Sequence, residues 1–286
     1  MTDAVYRLAL PDTPRSCAVF SSPHSGRDYP PGFLSRTRLD TLQIRSSEDA
    51  YVDELFACAP DHGAPLLAAR VPRACVDLNR ASDELDPALI AGTFRRGANP
   101  RVVAGLGVIP RVVAEGRPII EGKLSLAEAE ARLDTYYHPY HACLAALIEA
   151  QRRAFGQALL FDCHSMPHDA LASAPAVWGK RPNIILGDRF GASCERWLME
   201  AATEIFGAAG FVVARNAPFA GGFITQHYGR PGGGIQALQI EIDRGLYMDE
   251  DRIERRAGFA ETRATIAGAV ARLARLGSQA LPMAAE

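Results

Sequence analysis

Short apolar runs alternate with longer amphipathic stretches along most of the chain. Ser16 to Ser21 reads as a buried strand, followed at once by the turn residues Pro23-His24-Ser25-Gly26. Strands are also expected over Leu66 to Ala69, Ala74 to Leu78, Ala158 to Cys163, Ile184 to Leu186, Phe211 to Ala214 and Ile235 to Ile242. Val52, Leu55 and Phe56 fall on one face of a helix expected over Glu48 to Ala59. Ser125 and Glu128 form a capping box that opens a helical region running to about Phe155, and Pro139 must kink or split it near Tyr137-His138. Helices are expected over Ala192 to Phe206 and Glu250 to Leu276 as well. Strands separated by helices imply an α/β fold, a mostly parallel or mixed sheet with helices on both faces. In such sheets ligands bind beyond the carboxyl ends of the strands, so the residues just after each strand come first for chemistry.

Composition narrows the partners. Across 286 residues, 31 Lys+Arg nearly balance 33 Asp+Glu, which argues against nucleic acid or an anionic membrane as the main partner. No apolar run approaches the roughly 18 residues needed to span a bilayer, and Met1 to Leu10 has no apolar signal core, so the expectation is a cytoplasmic protein. A single domain over residues 1–276 and a loose tail from Gly277 to Glu286 are expected. Cys17, Cys58, Cys75, Cys143, Cys163 and Cys194 are scattered, with no C-x-x-C pair, and read as buried thiols rather than metal ligands or nucleophiles.

Two histidines stand just after strands, His24 and His164, each in a turn of small residues. Imidazole is a common zinc ligand, and a hydrolytic zinc site uses three protein ligands with one position left for water. The best third ligand is a carboxylate of Glu48-Asp49, although this pair equally suits the first turn of a helix. In the strand beginning at Ile235, period two puts Leu238, Ile240 and Ile242 on one face and Gln239, Glu241 and Asp243 on the other. A carboxylate at Glu241 would be costly to bury unless paired or used, and burial would raise its pKa, as suits a general base. A surface-facing edge, or an ion pair with Arg244, is the simpler alternative. Asn79-Arg80 ends another apolar run, where a guanidinium could grip a carboxylate bidentately or else pair with Asp77 or Asp83. Glycines around 221–222 and 232–234 imply tight turns or close backbone approach to a ligand. No phosphate-loop glycine pattern and no G-x-S-x-G elbow is present.

Taken in order, Ser22-Pro23-His24-Ser25-Gly26, Glu48-Asp49, Val76-Asp77-Leu78-Asn79-Arg80, Asp162-Cys163-His164-Ser165-Met166-Pro167, Leu186-Gly187-Asp188-Arg189, Gly221-Gly222-Phe223-Ile224-Thr225 leading to His227-Tyr228-Gly229-Arg230-Pro231, and Gln239-Ile240-Glu241-Ile242-Asp243-Arg244 resemble the N-formylglutamate amidohydrolases. The resemblance implies the fold of the zinc carboxypeptidases, a three-layer α/β/α domain around a mixed sheet. It implies one divalent metal, zinc, held by His24, Asp49 and His164, with Glu48 as the alternative carboxylate because the usual His-x-x-Glu is missing. It also implies Glu241 as the catalytic base, and Asn79 with Arg80 as the holder of a substrate carboxylate. N-formylglutamate carries a second carboxylate, for which Arg73, Arg230 and Arg244 are candidates. The implied reaction releases glutamate and formate at the end of a histidine-degradation route. The rival readings are a zinc deacylase or carboxypeptidase-like amidase acting on another N-acyl amino acid or peptide, and a ligand-binding relative without turnover.

Overall fold

The computed structural model describes residues 5–94 and 99–276 and gathers the apolar runs into one seven-stranded sheet. Its strands are β1 (Tyr6–Ala9), β2 (Ala18–Ser22), β3 (Leu66–Ala69), β4 (Ala158–Met166), β5 (Ile184–Gly187), β6 (Val213–Arg215) and β7 (Ile235–Asp243), in the order β1-β3-β2-β4-β7-β5-β6. The pairs β3–β2, β2–β4, β4–β7 and β5–β6 are parallel, while β1–β3 and β7–β5 are antiparallel. The sheet is thus mixed and mostly parallel, with helices on both faces, as the alternation of strands and helices requires.

Period two sorts the side chains between those faces. Leu159, Phe161 and Cys163 of β4 join Leu238, Ile240 and Ile242 of β7 against helices Val52–Leu55, Arg196–Ala208 and Phe259–Leu276. Phe20 of β2 stacks on Phe161 in this layer, with ring centroids 5.1 Å apart. On the other face, Val19, Ala158, Leu160 and Ala237 pack beneath helix His138–Phe155. Farther along that second face the residues turn polar: Val19 gives way to Ser21, Leu160 to Asp162 and His164, and Ala237 to Gln239 and Glu241. The parallel register sets Ser21 beside Asp162, Asp162 beside Gln239, and His164 beside Glu241. Buried polar groups in register on adjacent central strands are costly unless they serve one another, and this is where the site lies.

Several expected elements take another form. Ala74 to Leu78 is buried but is a looped segment and not a strand: Cys75 and Val76 donate backbone N–H bonds to the Pro72 carbonyl, and Asp77 to that of Val108. The helix over Glu48 to Ala59 shortens to Val52–Leu55, because Tyr51 sits in the left-handed region at φ 65°. The last helix starts at Phe259, and a short hairpin, Met248–Asp249 with Glu254–Arg255, replaces its expected first turns. Strand β1, half polar and exposed, had no apolar run to mark it. The expected tail, Gly277 to Glu286, lies outside the described residues. No described helix is long and apolar enough to cross a membrane.

The capping box forms as expected: Ser125 and Glu128 cap each other across the first turn of Leu126–Arg132. Pro139 lacks the N–H that an α-helix would bond to Thr135, and the chain accommodates this with a π-helical turn over Leu133–Tyr137. That region clasps the loop carrying Asp77, Asn79 and Arg80. Tyr137 donates its hydroxyl to the Arg80 carbonyl at 2.8 Å, His141 donates Nε2–H to the Leu78 carbonyl at 2.9 Å, and Arg132 reaches the Cys75 carbonyl at 3.2 Å. Burial drives the His141 imidazole down to about 4, so it is neutral and serves as a fastener.

Candidate metal centre and active site

His24, Asp49 and His164 converge at the carboxyl ends of β2 and β4, each buried, with one potential ligand atom apiece inside a 4.8 Å span. The His164 Nδ1 lies 2.9 Å from Asp49 Oδ2, and the His24 Nδ1 lies 3.4 Å from the same oxygen. Each ring's Nε2 faces a further aspartate: His24 meets Asp77 Oδ1 at 2.7 Å, and His164 meets Asp162 Oδ2 at 3.0 Å. Carboxylates only accept, so both Nε2 atoms carry a proton; His24 Nδ1 is left free, while His164 Nδ1, which also donates to Asp49, would give up its proton to a metal ion. The Nδ1 of His24 is buried without a hydrogen-bond partner. Two imidazoles oriented by carboxylates, a third carboxylate between them and an orphaned ring nitrogen make a donor set that fits a metal ion.

Each aspartate is held in turn. Asp49 donates its backbone N–H to the His24 carbonyl at 3.0 Å, which locks the two ligand-bearing turns together, and its Oδ1 accepts from Arg244 at 3.0 Å. Burial opposes ionisation of Asp49, but its hydrogen bond to His164 and the neighbouring imidazoles outweigh that and hold it well below the usual carboxylate range. Burial likewise opposes ionisation of Asp77, and Arg73, at 2.9 Å, leads the charges that hold it low. His164 is pushed well above the usual imidazole range: burial disfavours its charge, but Asp162 and Asp49 more than compensate. Asp77 and Asp162 escape a reading that looks only after strand ends. Period two offers the missing signal for Asp162, which shares a face with His164 two residues on.

Glu48 does not join this group. Its carboxylate is taken by Arg45 at 3.1 Å and by the Tyr29 hydroxyl at 2.7 Å, on the far side of the turn that presents Asp49. Glu241 does approach, buried opposite His164, with Oε1 accepting from Gln239 Nε2 at 2.8 Å. Burial pushes its carboxyl up to about 7, with Asp49 and Asp162 adding to the rise and His164 opposing it. Asn79 spans the site: its Nδ2 donates to Asp162 at 3.2 Å and its Oδ1 accepts from the Ile224 N–H at 2.7 Å. Gly222 makes this possible, since a Cβ there would stand 2.4 Å from Asn79 Nδ2. At Gly222 the close backbone approach is therefore to Asn79.

His24, Asp49, Asp77, Asn79, His164 and Glu241 line a cavity of about 770 Å³, together with Arg73, Arg80, Arg101, Arg189, Arg244 and Gln239. Arg230 is not on its wall: it is exposed, and its guanidinium turns back onto the Gln226 and Gly229 carbonyls. The sequence does not single out Arg101, and Arg189 stands there only as the end of the Leu186-Gly187-Asp188-Arg189 stretch, with no role attached. Nothing local distinguishes Arg101, but Arg189 lies two residues past the end of the apolar strand β5.

A three-layer α/β/α chain with two histidines, a carboxylate and a buried glutamate on one cavity wall has the make-up of a single-metal hydrolase. The family model for N-formylglutamate amidohydrolases matches residues 16–248, and the chain belongs to that family. It is 33% identical over 254 residues to an N-formylglutamate deformylase of Pseudomonas aeruginosa, covering 87% of this chain and 89% of that one. A deformylase of the same name from Pseudomonas putida is 34% identical over 240 residues, covering 81% and 82% of the two chains. The crystal structure of an N-formylglutamate amidohydrolase from Ralstonia eutropha superposes with a TM-score of 0.90 at 34% identity, over 98% of this chain and all of that one.

The pairing of Asp162 with His164 makes a local prediction. Asp162→Asn replaces the charged acceptor that fixes the ring's tautomer with a neutral amide, so metal affinity should fall roughly 10- to 100-fold. Competition against a chromophoric chelator measures this, and unchanged affinity would show that Asp162 does not orient the ring.

Proposed function

We propose that this protein hydrolyses the formyl amide of N-formyl-L-glutamate to glutamate and formate, using one zinc ion held by Nδ1 of His24, Asp49 and Nδ1 of His164. The observation that carries the reading is the convergence of this donor set and Glu241 in one arginine-lined cavity of a chain of this family. When bound, the ion would supply a Lewis acid for the formyl carbonyl and lower the pKa of a water toward ~7.

The protein's own groups do the rest. Asp77 and Asp162 hold the two imidazoles in the tautomer that presents Nδ1, and Arg244 fixes Asp49 so that Oδ2 faces them. Gln239 pins one oxygen of Glu241 and leaves the other to take a proton from the attacking water. A carboxyl held near neutrality can both accept that proton and pass it to the departing amine nitrogen, which a low-pKa carboxylate does poorly. Arg80 is clamped by the Leu106 carbonyl at 2.9 Å and its neighbour's carbonyl at 2.8 Å, and offers its remaining N–H groups to the substrate α-carboxylate. Asn79 braces Asp162 beside it.

Formate release from N-formyl-L-glutamate, compared with acetate release from N-acetyl-L-glutamate, tests the assignment. Release from the formyl compound with little from the acetyl one is expected. The reverse preference would move the function to another N-acyl substrate.

A further inference from the structure

The proposed substrate carries two carboxylates, and the arginines on the cavity wall are unequally free to receive them. Arg73 is bound to Asp77 at 2.9 Å and Arg244 to Asp49 at 3.0 Å, so each already neutralises a buried aspartate. Arg80 stands 3.9 Å from Asp77 and spends two N–H groups on carbonyls. Arg189 and Arg101 make no side-chain hydrogen bond or ion pair among the described residues, and both line the cavity where it meets a smaller recess of about 310 Å³. Arg80 is pushed below the usual guanidinium range, by burial first and with the charges of Arg73 and Arg101 contributing. Glu84 also lines the recess, but no side-chain bond joins it to Arg101 or Arg189 among the described residues, so these two guanidinium groups stay free to receive an anion.

The backbone around Arg189 is built to aim it. Arg189 and Phe190 are consecutive non-glycine residues in the left-handed region, at φ 55° and 58°. Asn216 holds that turn: its Oδ1 accepts from the Asp188 N–H at 3.0 Å and the Phe190 N–H at 3.4 Å, while its Nδ2 donates to Asp188 at 2.8 Å. The Arg189 N–H donates to the Ala220 carbonyl at 2.7 Å, tying the turn to the loop opposite. The side chain then crosses Gly221, where a Cβ would lie 2.9 Å from Arg189 Cγ, so the glycine leaves the stem its path. Strained backbone kept in place by several bonds is a mark of a side chain whose direction matters.

We propose that Arg189, assisted by Arg101, binds the side-chain carboxylate of the substrate and sets the preference for a dicarboxylate. This rests on the N-formylglutamate reading. The side-chain carboxylate lies two bonds farther from the formyl carbon than the α-carboxylate, so a second cationic group, apart from Arg80, is needed to reach it. Arg230, turned away on the surface, does not supply it.

The test compares kcat and KM for N-formyl-L-glutamate and N-formyl-L-glutamine, which differ only in the charge at the side-chain end. The proteins are the metal-loaded wild type, Arg189→Ala, Arg189→Lys and Arg101→Ala. Arg189→Ala should raise KM for the glutamate compound roughly 10- to 100-fold, and raise it clearly less for the glutamine compound, whose amide oxygen takes only a neutral hydrogen bond, while kcat falls less than KM rises. Arg189→Lys should recover part of the loss, and Arg101→Ala should reproduce a smaller share of it. Equal losses on both compounds would overturn the assignment, as would no loss on either. If the wild type hydrolyses neither compound, the functional reading fails and calorimetry with L-glutamate and L-glutamine decides the inference by itself. A glutamate preference lost in Arg189→Ala then upholds it, and no preference in the wild type overturns it.

Discussion

Glu241→Gln should lower kcat by about 10³-fold while the protein keeps its metal. The amide retains the shape and the hydrogen bond to Gln239 but cannot take a proton, so only the base is lost. The wild-type pH profile carries the same group. Glu241 works as a base when ionised, and its carboxyl is held up near 7 by burial. Activity should therefore rise with pH through an acid limb centred at or below about 7, because a bound cation would favour the ionised form further. Glu241→Gln should lack that limb. Steady-state rates from pH 5 to 9, with metal content measured on the same samples, check both statements. A variant that keeps full turnover would move the proton transfer to another group.

The second large effect concerns Asp49. Asp49→Asn removes the carboxylate that two imidazoles and Arg244 share. Arg244, itself buried, loses its 3.0 Å partner, and His164 is left with a charge balanced from one side only. Breaking a buried ion pair from one side costs about 3–5 kcal/mol, so the metal-free variant should unfold at clearly lower denaturant than the metal-free wild type. It should also fail to retain metal through gel filtration. In contrast, Glu48→Gln, which disturbs only Arg45 and Tyr29, should keep its metal. Urea unfolding and metal analysis on the three proteins separate these outcomes, and an Asp49→Asn protein that binds metal like the wild type would remove Asp49 from the donor set.

Sequence pattern exposed the sheet and much of the site for one physical reason. The central strands β4 and β7 are long and buried on both faces, so their apolar runs are continuous, and a polar residue at their ends is conspicuous. His164 and Glu241 are visible on those grounds, and His24 by its place after β2. What stayed hidden depends on long-range contacts. Ala74 to Leu78 is apolar because it is buried beneath the helical region, and apolarity reports burial rather than extension. Asp49 and Glu48 are neighbours with the same charge, and only the turn at Tyr51, with Arg45 and Tyr29 waiting for Glu48, sends them to opposite sides. Arg230 stands in a stretch rich in glycine that resembles a ligand loop, yet its guanidinium folds back on its own backbone. Arg189 shows the converse, since the role proposed for it rests on its having no side-chain partner among the described residues.

The most direct test of the account is formate release from N-formyl-L-glutamate by protein of assayed metal content, before chelation, after it, and after return of one equivalent of zinc per chain. The account predicts release that chelation abolishes and zinc restores. Undiminished release from protein shown to hold no metal would contradict it.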